Sequence, residues 1–278
     1  MINKVINIDV DYTAMGVKPS PRQTTLTTYT LDERNIADSG GIKRPAVIVC
    51  PGGAYGGTSP IEGEPIALKY CAAGFHAFAL DYSVAPSAWP AATCELAKAV
   101  SYVRRIANEN NIDSNKIFVA GFSAGGHLAA SLGVYWNHPD VIKYSGIKNG
   151  SNRPNGLILG YPVITGEEGR THKITIDNFV GGRESVKPLA WLENHVTEET
   201  PQTFIWHTFT DDSVPVISTL RFANALEAHH VKFEMHIYPN GRHGLSTGDN
   251  ITCPPGTGMP CVTNWIDMCI RWINEFKD

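Results

Sequence analysis

The chain has 278 residues, enough for one α/β domain with a large core. Its 23 basic residues against 27 acidic ones leave a net charge of −4 at pH 7, with no electrostatic footprint for nucleic acid or an anionic membrane. A composition of 42% hydrophobic and 18% charged residues excludes intrinsic disorder as its main character, and the 26 glycines and 18 prolines show no repeat.

The N-terminal Met1-Ile2-Asn3-Lys4-Val5-Ile6-Asn7 has no basic-then-apolar leader pattern, and no run approaches about 18 uncharged apolar residues. Cys50, Cys71, Cys94, Cys253, Cys261 and Cys269 are scattered without a Cys-x-x-Cys pair and are expected as reduced thiols in a cytoplasmic protein. The Asn149 and Asn250 sequons carry little weight in such a chain.

The first 40 or so residues read as extended and polar, and the β-branched alternation over 24–30 predicts an edge hairpin. Ala46-Val47-Ile48-Val49-Cys50 is a continuous apolar run, the mark of a strand covered on both faces, stopped by Pro51-Gly52-Gly53. A helix is expected over 61–73, a second buried strand over 75–80, and the longest helix over about 91–110, with Leu96, Ala99, Val100, Val103 and Ile106 on one stripe. The third strand, 117–120, precedes a helix over 126–135, and the fourth strand is 157–161. Residues 165–200 read as an irregular polar insertion with its main turn at 178–182. The fifth strand, 203–207, a helix near 216–228, the sixth strand over 232–238 and a closing helix over 263–276 complete the chain. This rhythm predicts one α/β domain over 1–278, a mostly parallel twisted sheet with helices on both faces. Its ligands should bind at the carboxyl ends of the strands.

At the end of the third strand stands Gly121-Phe122-Ser123-Ala124-Gly125-Gly126-His127. Small residues two before and two after a serine permit a strained strand-to-helix turn, where a side chain at Gly121 or Gly125 would strike neighbouring backbone. The turn lifts the hydroxyl above the sheet, and the amides of the new helix point at developing negative charge. Ser123 is therefore the candidate nucleophile. It needs a base, and His243 in Asn240-Gly241-Arg242-His243-Gly244, just past the sixth strand, is the best placed of ten histidines. His236, His229 and His230 read as structural, His127 as local packing or support, and His207 as a hydrogen-bond donor to substrate. An orienting acid between serine and histidine in chain order comes from the Asp211-Asp212 pair after the fifth strand, giving the order Ser123, Asp211, His243. Asp32, Asp38 and Asp81 precede the serine, while Asp140 and Asp177 are better explained by turns and caps. Glycines after the first apolar strand expose backbone amides, so Gly53 and Ala54, with Ala124, are the candidate oxyanion donors. A phosphate loop would need a Gly-Lys-Ser/Thr ending, which is missing.

With these residues in place, the chain resembles α/β-hydrolases of the acetyl-esterase and hormone-sensitive-lipase-like group, in particular the acetylxylan-esterase-like branch. The matching stretches are Cys50-Pro51-Gly52-Gly53-Ala54-Tyr55, Asp81-Tyr82-Ser83-Val84-Ala85-Pro86, residues 121–130, residues 207–215 and Gly241-Arg242-His243-Gly244. The resemblance implies Ser123 as nucleophile, Asp211 (the first of its pair) as orienter and His243 as base. It also implies a serine carboxylic-ester hydrolase for short acyl groups on carbohydrates, with no metal or organic cofactor. The group's oxyanion motif usually begins His-Gly-Gly, and here Pro51 stands in place of that histidine, so a hydrogen bond organising the loop is missing. Residues 253–261 form a loop that covers the acyl pocket, makes a subunit contact in a homo-oligomer, or merely connects to the last helix. Tyr55, Tyr82, Trp89 and Trp136 are either platforms for a sugar or, like most large aromatics, core. An aryl formamidase, a peptidase-like hydrolase or a non-catalytic binding protein on the same scaffold are the rival readings. Oligopeptidases usually carry a large extra domain, for which 278 residues are expected to leave no room.

Overall fold

A computed structural model describes residues 1–31 and 42–277. Among them eight strands form one sheet: β1 (Ile2–Asn7), β2 (Thr25–Thr30), β3 (Arg44–Cys50), β4 (His76–Asp81), β5 (Ile112–Phe122), β6 (Gly156–Gly160), β7 (Gln202–Thr208) and β8 (Phe233–Tyr238). Their order is β1-β2-β4-β3-β5-β6-β7-β8, antiparallel at β1/β2 and β2/β4 and parallel from β4 to β8. The helices are α1 (Tyr12–Met15), α2 (Glu64–Ala72), α3 (Ala91–Arg105), α4 (Ala124–Tyr135), α5 (Pro139–Ser145), α6 (Lys173–Val180), α7 (Ile217–Ala228) and α8 (Trp265–Glu275).

The apolar runs of β3 and β5 are covered on both faces. In β3, Ile48 turns toward the layer of α3, α4 and α7, while Val47 and Val49 turn toward that of α2 and α8. Ile117 and Val119 of β5 face the first layer and Phe118, Ala120 and Phe122 the second, the period-two alternation of a strand buried between two cores. The expected α/β architecture, a mostly parallel sheet with helices on both faces, is the one observed.

Several boundaries differ from expectation. The 24–30 segment is a strand, and with β1 it makes the expected antiparallel pair at the edge of the sheet, but the connection is long. β2 lies between β1 and β4, and the segment joining it to β1 carries α1 rather than a tight turn. The helix expected over 61–73 begins as a short 3-10 turn, Pro60–Glu62, and breaks at Gly63 before α2. The 91–110 helix stops at Arg105, and α5 was not foreseen. The 165–200 insertion is neither irregular nor wholly polar. It contains α6 and two 3-10 turns, and it buries Ile176, Phe179, Val180, Val186, Ala190 and Leu192 in the core. Asp177, read as a loop residue, sits in α6 and pairs with Lys173 at 2.5 Å. Asp32 and Asp38 lie outside the described residues.

The turn from β5 into α4 is set by a close approach of two backbones. A Cβ on Gly125 would fall on the carbonyl oxygens of Cys50 and Pro51, and one on Gly121 would fall on the Gly125 carbonyl. The end of β3 and the start of α4 therefore touch where no side chain fits. Replacing a helical glycine by alanine normally stabilises a helix, but here Gly125→Ala should lower stability by about 3 kcal/mol through overpacking against rigid backbone. Gly57→Ala, whose Cβ meets open space, should be nearly neutral. A thermal melt of the two variants checks this contrast, and an unchanged melting temperature for Gly125→Ala would contradict it.

Candidate active site

Ser123 sits at the N-cap of α4 with φ 55° and ψ −118°, a left-handed conformation that side-chain-bearing residues rarely adopt. Its amide donates to the Gly160 carbonyl at 3.1 Å, and its carbonyl accepts from the His127 and Val163 amides, each at 3.1 Å, so the strain is held from several sides. The hydroxyl lies 2.8 Å from Nε2 of His243, whose Nδ1 lies 2.8 Å from Oδ2 of Asp211. The three strand-end residues singled out from the sequence are thus brought into one hydrogen-bonded line. The His243 loop is pinned to β7, because the Gly241 carbonyl accepts from the Thr208 and Thr210 hydroxyls at 3.0 and 3.2 Å. Tyr161 presents its ring edge-on to the imidazole, with centroids 5.0 Å apart.

Asp211 is almost fully buried, which by itself raises a carboxyl pKa. Hydrogen bonds from His207 and His243, the charge of His243 and the Val214 amide outweigh that burial and hold the group well below the usual carboxylate range. Its other oxygen accepts from the Ser213 and Val214 amides at 2.9 and 2.8 Å. Asp212 is exposed. Its carboxylate accepts from the Ser213 hydroxyl at 3.1 Å and from the His243 amide at 3.4 Å, and no side chain caps α7.

His207 does not reach substrate, contrary to expectation. It is wholly buried, takes the Thr219 hydroxyl at Nδ1 (2.8 Å), and turns Nε2 toward the Val214 carbonyl at 3.0 Å and Asp211 Oδ2 at 3.3 Å. Its ring nitrogens are thus taken up by Thr219, Val214 and Asp211, away from solvent. His127 is the support that its position promised. Its Nδ1 accepts from the Tyr55 hydroxyl at 3.0 Å and its Nε2 donates to the Ala190 carbonyl at 3.2 Å, tying the β3–α2 loop to the 165–200 insertion. Tyr55, Tyr82 and Trp89 are buried core residues, and half-buried Trp136 lies under the Arg153 guanidinium. Three of the four are therefore core.

The amides of Gly53, Ala54 and Ala124 donate to no acceptor among the described residues. Gly53 and Ala54 also reach solvent. Ala54 and Tyr55 have φ of 56° and 55°, and the strained loop is held by groups from elsewhere in the chain. Tyr82 donates to the Pro51 carbonyl at 2.6 Å, Asn178 to the Ala54 carbonyl at 2.8 Å, and the Ala85 amide to the Tyr55 carbonyl at 2.6 Å. These bonds restrain the loop that begins at Pro51. Sequence reading missed Tyr161, Asn178 and Glu62, whose carboxylate accepts from the Gly52 amide at 2.8 Å. Glu62 has a look-alike two residues on, the exposed Glu64, and no local signal separates them.

The 253–261 loop is bound back to the His243 segment, with the Met259 amide on the Gly248 carbonyl and the Cys253 amide on the Asp249 carbonyl, both at 2.9 Å. Only Thr252 and Cys253 at its start are buried, while Pro254–Thr257, Pro260 and Cys261 stay exposed. Cys253 and Cys261 are both free thiols, as expected. Among the described residues no helix is long and apolar enough to cross a membrane, and no group of three or more His, Cys, Asp or Glu is arranged to hold a metal ion.

A parallel sheet carrying a serine on a strained β5–α4 turn, with an acid after β7 and a histidine after β8, defines an α/β-hydrolase. The family model BD-FAE matches residues 36–226, and the chain belongs to that family. It is 36% identical over 223 residues to endo-1,4-beta-xylanase B of Butyrivibrio fibrisolvens, covering 75% of this chain and 34% of that protein. It is 28% identical over 211 residues to the acetylxylan esterase of Xylanibacter ruminicola, covering 73% and 41%. The chain thus spans about a third to a half of the curated relatives it matches. The crystal structure of an acetyl ester-xyloside bifunctional hydrolase from Caldicellulosiruptor lactoaceticus superposes with a TM-score of 0.80 at 32% identity, covering 98% of this chain and 95% of that one.

Two expectations follow. Asp211→Asn keeps size but favours the wrong imidazole tautomer, so kcat should fall about 10⁴-fold in a folded protein. Asp212→Asn should stay within a few-fold of the wild type, and a reversal of the two phenotypes in ester-hydrolysis assays would move the orienting role to Asp212. Burial pushes His127 down from 6.5 to about 4. The neutral ring contributes stability that is complete above pH 6.5 and is lost as pH falls toward 4, about 3 kcal/mol in all. His127→Gln should be less stable at pH 7 but lose less stability between pH 6.5 and 4.5 in urea titrations. An equal pH slope in the two proteins would contradict this.

Proposed function

We propose that this chain is a serine carboxylic-ester hydrolase that removes short acyl groups, acetyl above all, from carbohydrate alcohols. The observation that carries the reading is the 2.8 Å and 2.8 Å line from Ser123 Oγ through His243 to Asp211, beside amides without acceptors. Ser123 Oγ attacks the ester carbonyl while His243 Nε2 takes its proton. The oxyanion is received by the amides of Gly53, Ala54 and Ala124, each donor lowering the barrier by roughly 3 kcal/mol. Asp211 holds the Nδ1–H of the imidazolium, which returns its proton to the leaving alcohol. Water, activated by the same histidine, then cleaves the acyl-serine. The relay draws on no metal or organic cofactor, and all its groups come from one domain.

Short acyl groups are supported by how full the interior is behind the oxyanion loop. Phe179 packs against Tyr55 and Trp89 there, with ring centroids 6.0 and 5.4 Å apart. The carbohydrate half rests on the acetylxylan esterase and the acetyl ester-xyloside hydrolase among the similar proteins. Neither nucleic acid nor a membrane surface enters the reading. A cytoplasmic setting suits six free cysteines.

A fluorophosphonate probe should label the wild type and fail to label Ser123→Ala. p-Nitrophenyl acetate should be cleaved far faster than the octanoate, and acetate should be released from acetylated xylo-oligosaccharides. Absence of labelling would favour a binding protein, a rate rising with chain length a lipase-like enzyme, and preference for formyl aryl amides a formamidase.

A further inference from the structure

Glu62 ends the 3-10 turn Pro60–Glu62 with only 3% of its surface exposed. Carboxylates are seldom so buried without a cation, yet among the described residues Glu62 makes no ion pair. A methionine of similar length would fill the space without desolvating a charge. Core packing is therefore a poor account of an acid here.

Its two oxygens reach two parts of the site. Oε2 accepts from the Gly52 amide at 2.8 Å, one residue before the Gly53 and Ala54 amides. Gly52 is itself wedged, since a Cβ there would lie 2.7 Å from Glu62 Oε2 and 2.9 Å from Ser123 Cβ. Oε1 accepts from the Tyr161 hydroxyl at 2.5 Å, and that hydroxyl accepts from the Ser246 amide at 3.0 Å. Tyr161 has φ 36° and forms the wall against which the His243 ring rests. Ser246, three residues past His243, closes the circuit by donating from its hydroxyl to the Ile61 carbonyl at 2.6 Å. One carboxylate thus joins the loop before the oxyanion donors, the nucleophile's neighbour and the segment carrying the base. Burial pushes its pKa up, while the Tyr161 and Gly52 hydrogen bonds and the charge of His243 draw it back.

We propose that Glu62 is a positioning residue for ester hydrolysis: it clamps the Gly52 amide and the Tyr161 hydroxyl so that the Gly53 and Ala54 amides and the His243 ring stay in register with Ser123 Oγ. The inference rests on the ester-hydrolase reading. Oxyanion donors act mainly in the transition state, so a loosened clamp lowers kcat and leaves KM nearly alone. Glu62→Met fills the volume but offers Gly52 no oxygen. Glu62→Gln still offers one, though its amide then donates to Tyr161 and leaves that hydroxyl's proton without an acceptor.

With p-nitrophenyl acetate, Glu62→Met should lose about 100-fold in kcat, the scale of a lost oxyanion donor, with KM within threefold of the wild type. Glu62→Gln should recover part of the loss, to about 10-fold below the wild type. Affinity for a trifluoromethyl ketone, which forms a tetrahedral adduct on the serine, should fall in parallel with kcat in both. A purely structural acid would instead lower the melting temperature and leave kcat and ketone affinity of the folded enzyme unchanged. That result, or a rise in KM at constant kcat, would overturn the proposal. Should Glu62→Met fail to fold, Glu62→Gln decides by the same two readouts. A wild type that neither turns over the ester nor binds the ketone would refute the ester-hydrolase reading itself. An active wild type matched by both variants would refute only the role of Glu62.

Discussion

The close approach of β3 and α4 is the constraint on which the rest of the molecule depends. Because Gly125 has no side chain, the carbonyls of Cys50 and Pro51 lie directly against the first turn of α4. That contact does two things at once. It forces Ser123 into a left-handed turn above the sheet, and it brings the loop after β3 alongside the serine. Candidate nucleophile and candidate oxyanion donors are neighbours because the same two backbones touch. The parallel order β3-β5-β6-β7-β8 then sets the ends of β7 and β8 on one side of the serine, within reach of Asp211 and His243.

Polar groups buried behind that contact hold it in place. The loop from Pro51 to Tyr55 passes through two left-handed non-glycine residues and would relax without restraint. Its restraints come from four separate parts of the chain: Tyr82 after β4, Asn178 of α6, His127 of α4 and Glu62 before α2. The segment after β4 is itself anchored by a second buried acid, Glu95 of α3, which accepts from the Ser83 amide at 2.8 Å and from the Ser83 hydroxyl. The 165–200 insertion belongs to this scaffold, because α6 and the 3-10 turn ending at Ala190 deliver Asn178 and the carbonyl that His127 meets.

The outcomes for particular residues show which kinds of information each level carried. Ser123 was readable because the glycines around it constrain backbone locally. His243 was readable because it sits between glycines past a strand, and Asp211 because of its place in chain order. His207 was misread as a substrate contact, since nothing in Ile205-Trp206-His207 says that Thr219 and Val214 fold over it.

The amino-acid sequence by itself determined the strand and helix rhythm, the parallel sheet, the strained serine turn and the identity of the three residues in line. These depend on local periodicity, glycine geometry and chain order, which act over a few residues. Only the tertiary structure decided which buried polar groups meet: Glu62 with Gly52 and Tyr161, His207 with Asp211, Asn178 with Ala54. Glu62 and Glu64 carry the same chemistry two positions apart. Burial selects one of them, and burial is a property of what the rest of the chain packs against it.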